Sequence, residues 1–282
     1  MDNTYGLLAV QEMNLEILKE IDRICSKYGI SYMLDAGTLI GAIRHNGFIP
    51  WDDDADIAMS RENWEIFKRV LKKELPAHMC LLMPEGMRGG RAFYDFTPRI
   101  LYKHSRRHQP APEDEYYEHR LNHVWVDIFI LDKIPQNRIL AGLVRLWQKK
   151  IYLLSMGHRY RIDYRKYGII HRLLIFIFSN IGRFLPMRLL FGIQESLSRC
   201  FRRFPCKNLY YSNYQPDYLH ITLKKEWIEK MIRISFEDTQ LCVSDHYEEI
   251  LSLVYGDYMK LPPKNKRKPT HQSQEIIRTD TE

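Results

Sequence analysis

Four aspartates fall within five residues, at Asp52, Asp53, Asp54 and Asp56, and the chain then runs on through Ile57, Ala58 and Met59 with the alternation of a strand. Charge this dense restricts the fold, because neighbouring carboxylates repel one another and burial disfavours each ionised form. Asp54 and Asp56, two apart on an extended chain, project to one face with Cα atoms about 6.5 Å apart. Two carboxylates at that separation bracket a hard cation through oxygen ligands, which suits magnesium. The competing reading is a solvated acidic turn with Asp52 and Asp53 acting as caps.

Two further features weigh against that turn. In residues 123–131, Val124, Val126, Ile128 and Ile130 point one way while Trp125, Asp127 and Phe129 point the other, which puts Asp127 in mid-strand. Aspartate is rarely buried unless it is paired or bound to metal, so Asp127 is a third carboxylate able to converge on the same point. Upstream, residues 30–36 read as a strand and 39–45 as a short helix, with Gly37 and Thr38 at the junction. Unpaired backbone N–H groups and the helix dipole favour an anion at such a junction.

The remaining pattern is that of an α/β chain. Val10, Met13, Ile17, Leu18, Ile21, Ile24 and Cys25 follow helical spacing up to Gly29, and residues 61–75 form a second amphipathic helix closed by Pro76. Strands are expected near 79–83 and 97–102, a strand pair at 230–236 and 239–243, and a helix from the Ser244 cap to Tyr255. A chain of 282 residues, 45% hydrophobic and 27% charged, is globular in profile, not disordered or fibrous. The five cysteines form no CxxC pair and read as reduced, buried thiols, and the N-terminus has no basic flank of the signal-peptide kind.

The net charge of +7 is concentrated in one place: residues 139–204 hold 13 Lys or Arg against two acids, Asp163 and Glu195. Confinement to one helical stretch argues against a nucleic-acid partner. Its most apolar run, residues 173–178, is far shorter than the roughly 20 residues of a spanning helix. Two roles stand for these basic, aromatic helices: a surface lying against anionic lipid, and a helical subdomain with aromatic core and solvated arginines. The basic segment 264–268 reads equally as flexible tail or as a phosphate-contacting lid.

Residues 34–59, LDAGTLIGAIRHNGFIPWDDDADIAM, closely resemble the LicD family, relatives of fukutin within the nucleotidyltransferase superfamily. The resemblance continues through WVDIFILD at 125–132, Phe236 with Glu237, YGDYMKLPP at 255–263 and His271. It implies an α/β, nucleotidyltransferase-like mixed sheet flanked by helices, with a basic helical insert. On that basis residues 1–138 would form the catalytic core, 139–206 the insert, 207–263 the part completing the domain, and 264–282 a flexible tail.

The resemblance also implies the chemistry: transfer of phosphocholine or another phosphoalcohol from a CDP-linked donor such as CDP-choline to a glycan acceptor, lipid-linked in some settings. Asp54 and Asp56 would bind Mg2+ (or Mn2+), joined by Asp52, which shares their strand parity. Asp127 would complete the metal site or take the acceptor's proton, and Gly37 and Thr38 would hold the donor's diphosphate. Arg44, Arg99 and Lys103 are candidate cations for that diphosphate, each with a solvated role as the alternative. His45 either contacts a substrate or is a structural hydrogen-bonder. The implied location is cytoplasmic, with peripheral contact at the inner face of the membrane. Nucleotidyl transfer from a nucleoside triphosphate, and a non-catalytic docking module, are the competing functions.

Overall fold

The computed structural model describes residues 5–109, 111–269 and 276–279. Helix α1 (Leu8–Tyr28) buries Ile17, Leu18, Ile21 and Ile24 and ends where Gly29 turns left-handed at φ 62. Then follow β1 (Met33–Leu34), α2 (Ala36–His45), β2 (Ala55–Ser60), α3 (Arg61–Glu74) and β3 (Met79–Leu82). Next come β4 (Arg99–Tyr102), β5 (Ser105–Arg107), α4 (Pro112–Tyr116) and β6 (Val124–Ile134). Three helices, α5 (Arg138–Ser155), α6 (Ile169–Gly182) and α7 (Met187–Arg199), precede β7 (Asn208–Tyr211) and β8 (Thr222–Lys224). The chain closes with β9 (Met231–Phe236), β10 (Thr239–Ser244), α8 (Tyr247–Tyr255) and β11 (Ile276–Arg278).

The main sheet is built around β6. Its eleven residues pair in parallel with β2 and antiparallel with β4 and β7, while β1 and β3 lie at the outer ends of the order β1-β2-β6-β4-β3 and β8 joins through β7. The sheet is therefore mixed and curled, with helices around it. A strand used on both edges needs branched apolar residues, and Val126 and Ile128 are fully buried in the core with Ile57 and Ile100. β9 and β10 form the expected hairpin.

Two expected strands are shorter than their sequence pattern. Residues 30–32 have no regular secondary structure, so β1 keeps two residues. β2 begins at Ala55, which leaves Asp52, Asp53 and Asp54 in the loop before it, and the parity argument then holds for Asp56 alone. The tail is also not free throughout. Ile276–Arg278 pairs antiparallel with β5, held by the buried side chain of Ile276. His271 lies outside the described residues. All five cysteines are free thiols, but only Cys25 is buried.

Helices α5, α6 and α7 share a core of their own, with Phe93, Phe96, Ile151, Tyr152, Ile175 and Leu190. Arg61 joins them to the sheet: Nε and Nη2 bind Asp132 at 3.0 and 2.5 Å, and Nη1 reaches Glu195 of α7 at 2.9 Å. Ser212 donates to the same Asp132 carboxylate at 2.6 Å. No single described helix is long and apolar enough to cross a membrane.

Candidate active site

The loop carrying the aspartates has little regular structure, so side chains from distant elements hold it in place. Gln11 of α1 donates its amide to the carbonyls of Ile49 (3.2 Å) and Asp52 (3.0 Å). Glu237, left-handed at φ 53 in the β9–β10 turn, donates its backbone N–H to Asn46 (2.8 Å) and accepts from the Phe48 N–H (2.9 Å). A Cβ on Gly47 would collide with that Glu237 carboxylate, so this clasp requires glycine.

Strand pairing sets the carboxylates side by side. Asp56 and Asp127 are register partners on the parallel strands β2 and β6, about 4.8 Å apart by strand spacing, and Arg99 is opposite Asp127 on β4. Oxygen atoms of Asp52, Asp53 and Asp54 lie within 4.8 Å of one another at the mouth of β2. Asp54 links the two groups, since its charge acts on Asp52, Asp56 and Asp127 alike. Asp53, which was not among the residues expected to hold the metal, belongs to this cluster. An all-carboxylate donor set with no His or Cys fits a hard divalent ion such as Mg2+ or Mn2+.

The protonation behaviour follows from burial and from the crowding of like charges. Burial, then the Asp54 charge, pushes Asp52 and Asp56 well above the usual carboxylate range. Burial pushes Asp127 up to about 7, against the pull of Arg99 and with the help of Asp95 and Asp54. Asp35, the N-cap of α2, is raised to about 6 by burial, opposed by the Ala36 amide and by the Tyr211 hydroxyl, which donates to it at 3.0 Å.

Three residues expected at the donor's diphosphate have other partners. The nitrogens of buried Arg99 are committed, with Nε 2.8 Å from Asp127, Nη1 and Nη2 on Asp95 at 3.0 and 2.5 Å, and Nη1 also on the Thr97 carbonyl at 3.2 Å. It serves as a buried counter-charge. Thr38 accepts the Asp56 N–H through its hydroxyl at 2.9 Å, tying α2 to β2. Gly37 lies against Asp52, where a Cβ would strike the carboxylate, so the anion at the first turn of α2 is the protein's own. The preceding Ala36 sits at φ 46, a left-handed conformation that costs a residue with a side chain about 1 to 2 kcal/mol.

Arg44 and His45 lie at the other end of α2. Arg44 donates Nη1 to the Tyr258 carbonyl at 2.8 Å. Burial lowers its pKa, and so does the nearby guanidinium of Arg267, while Asp52 opposes both. Arg267 stacks over Trp51 at 5.5 Å. The basic segment 264–268 thus brings a second cation to the rim of the site. Burial, then Arg44, lowers the pKa of His45, whose Nδ1 is 3.5 Å from Arg44 Nε. Lys103 is exposed in the turn after β4.

Residues 29–140, which contain Asp52, Asp53, Asp54, Asp56 and Asp127, match the family model described as LicD/FKTN/FKRP, nucleotidyltransferase domain. Over 265 residues the chain is 32% identical to the lipopolysaccharide cholinephosphotransferase LicD of Haemophilus influenzae, covering 91% of this chain and 92% of that protein. The chain belongs to the LicD family. Uncharacterized proteins of Rickettsia typhi and Rickettsia prowazekii are 39% and 42% identical over 56 residues, 20% of this chain and 18% and 21% of their own lengths.

One feature of this LicD-family site was missed in the sequence. Tyr211, bonded to Asp35, begins an aromatic series: Tyr214 packs 4.2 Å from Phe129 on β6, and Tyr218 stacks on Tyr214 with ring centroids 4.3 Å apart. Tyr214 and Tyr218 are half-exposed, and Tyr214 feels the charge of Asp56. The clustering of Tyr210, Tyr211, Tyr214 and Tyr218 within nine residues was the available signal.

Proposed function

We propose that this chain transfers phosphocholine, or a closely related phosphoalcohol, from a CDP-linked donor such as CDP-choline to a sugar hydroxyl of a cell-surface glycan. The supporting observation is the convergence of Asp52, Asp54, Asp56 and Asp127 beside two cations, Arg44 and Arg267, which repel each other and, among the described residues, make no salt bridge, Asp52 acting on Arg44 from a distance. The similarity to a lipopolysaccharide cholinephosphotransferase over nine-tenths of the chain points the same way. The mixed sheet with a carboxylate pair on parallel neighbours suits a nucleotidyltransferase-like reading. In it residues 1–138 and 207–263 make the catalytic unit and 139–206 the insert.

In this reading the acceptor oxygen attacks the β-phosphorus, a new P–O bond forms, and the bond to CMP breaks, with CMP taking the electron pair. Asp127, held by Arg99 and next to Asp56, takes the hydroxyl proton. Phosphoryl transfer asks a protein mainly for positioning and charge neutralisation. Mg2+ (or Mn2+), held by Asp52, Asp54 and Asp56, would supply neutralisation of the diphosphate charge. Arg44 and Arg267 bind the donor's phosphates from the rim. The outer faces of the stacked Tyr214–Tyr218 pair receive the quaternary ammonium, which aromatic rings attract through their quadrupoles. A CDP-linked donor places the reaction in the cytoplasm.

The test is a product assay with purified protein, Mg2+, CDP-choline and candidate glycans, reading CMP by chromatography. Acceptor-dependent CMP that disappears in Asp54→Ala is the expected result. Pyrophosphate release from a nucleoside triphosphate, with no turnover of any CDP-alcohol, would replace this reading with nucleotidyl transfer.

A further inference from the structure

Helix α6 is built inside out for a helix in water. It turns Ile175, Ser179 and Gly182 inward, and Gly182 lies so close to Leu154 of α5 that a Cβ would meet the Leu154 backbone. Apart from Ile175, its bulky apolar side chains largely face outward: Ile169 is 84% exposed, Ile170 74%, Leu173 59% and Phe176 58%, and Phe184 just beyond is 89% exposed. A surface helix of a globular protein ordinarily puts its apolar stripe on the core. On α5, Ile139, Leu143, Leu146 and Trp147 add an exposed stripe at helical spacing.

The charge around this face has one sign. Both acids of residues 139–204 are already engaged, Asp163 with Arg165 at 3.2 Å, and Glu195 with Arg61 at 2.9 Å and Arg199 at 2.7 Å. Arg161, Lys166, Arg172 and Arg183 stand exposed beside the apolar residues. Two copies of this face brought together would oppose like charges, whereas anionic headgroups would neutralise them. Length sets the depth of any insertion. At 14 residues α6 is about 21 Å long, short of the roughly 30 Å hydrocarbon layer, and α7 leaves it at 116°.

We infer that α5, α6 and the turn into α7 form a monotopic docking surface for an anionic lipid bilayer, with Ile169, Ile170, Leu173, Phe176 and Phe184 entering the headgroup boundary and the surrounding Lys and Arg contacting lipid phosphates. This assignment does not depend on the proposed transferase activity.

Co-sedimentation of the full chain with vesicles tests it, comparing pure phosphatidylcholine with phosphatidylcholine containing phosphatidylglycerol. The expected result is binding to the anionic vesicles that weakens with salt. It should fall at least about tenfold in Leu173→Asp/Phe176→Asp and, separately, in Lys166→Glu/Arg172→Glu. All four residues are exposed, Arg172 also donating to the Tyr167 carbonyl at 2.6 Å, and the melting temperature of each variant is measured alongside to show that it is folded. No binding to anionic vesicles overturns the inference, as does binding that both folded variants retain. A concentration-dependent dimer that Leu173→Asp/Phe176→Asp abolishes, in a parent that ignores vesicles, assigns the face to self-association instead.

Discussion

Asp56 and Asp127 are register partners on adjacent parallel strands, and Arg99 continues the same row on the next strand. Backbone pairing therefore fixes the spacing of the two carboxylates, and the Asp95–Arg99 pair fixes the orientation of the second. Asp127→Asn keeps the shape and most of the packing while removing the base and one anionic oxygen. CMP release should fall by about 10² to 10⁴-fold, the range of a lost general base, with the melting temperature close to the parent's. Retention of more than a tenth of the activity would remove Asp127 from the chemistry.

Gly37 tests whether the position of Asp52 matters. The alanine methyl must displace the Asp52 carboxylate, a strain costing about 1 to 3 kcal/mol. Gly37→Ala should lower the melting temperature and shrink the further stabilisation that Mg2+ provides. Gly142→Ala on α5 is the control, because its methyl enters open space and should leave both quantities unchanged or slightly raised. Equal Mg2+ responses in the two variants would separate Asp52 from the metal site.

The raised carboxyls make the stability of metal-free protein depend on pH with a definite sign. Asp35 and Asp127 hold their protons in the folded chain up to about 6 and about 7, well above an unfolded value near 4. Stability from these groups is complete below the unfolded value and is lost as pH rises through the folded ones. In EDTA the melting temperature should therefore decline between about pH 4 and pH 7. Mg2+ should restore most at the alkaline end, where the cluster is fully ionised. A melting temperature in EDTA that rises over this window would show the cluster to be neutralised within the chain.

What the sequence revealed of this site follows from which contacts are local. The alternation around Asp127 and the acidic run at 52–56 are local patterns, and both carboxylates were readable from them. Gly37, Thr38 and Arg99 were recognised as significant residues, but their partners are Asp52, Asp56 and Asp127, which only strand register and chain reversal bring near. Gln11 and Glu237 act on the loop from 41 and 189 residues away, beyond any periodicity. Asp35 falls within the strand pattern of residues 30–36, and its partner Tyr211 lies 176 residues away. In α6 the apolar run was plain, yet helical spacing could not tell that Ser179 and Gly182 would face inward.

Arg44 and Arg267 hold like charges near each other with Asp52 between their influences, an arrangement that a bound polyanion would relieve. Arg44→Ala and Arg267→Ala should each raise KM for CDP-choline about tenfold, the loss of one charge-assisted contact, with a smaller change in kcat. Steady-state CMP release against donor concentration gives both parameters. An unchanged KM in both variants would place the diphosphate elsewhere.

Tyr214 offers the sharpest test of donor identity, because its ring stacks on Tyr218 through one face only and meets Phe129 at a tilt, and Phe129 is its ring contact with the strand that carries Asp127. A quaternary ammonium has no N–H to donate, so the ring face is the main attraction open to it, worth about 1 to 2 kcal/mol when partly desolvated. Tyr214→Ala should therefore lower kcat/KM for CDP-choline about tenfold. It should affect CDP-ethanolamine less, since a primary ammonium can draw on hydrogen bonds. Tyr214→Phe keeps the ring and should keep the preference. The measurement is the ratio of CMP release from the two donors in each variant. If the ratio in Tyr214→Ala equals the parent's, the stacked tyrosines do not read the alcohol, and their packing on Phe129 serves only to support the strand that carries Asp127.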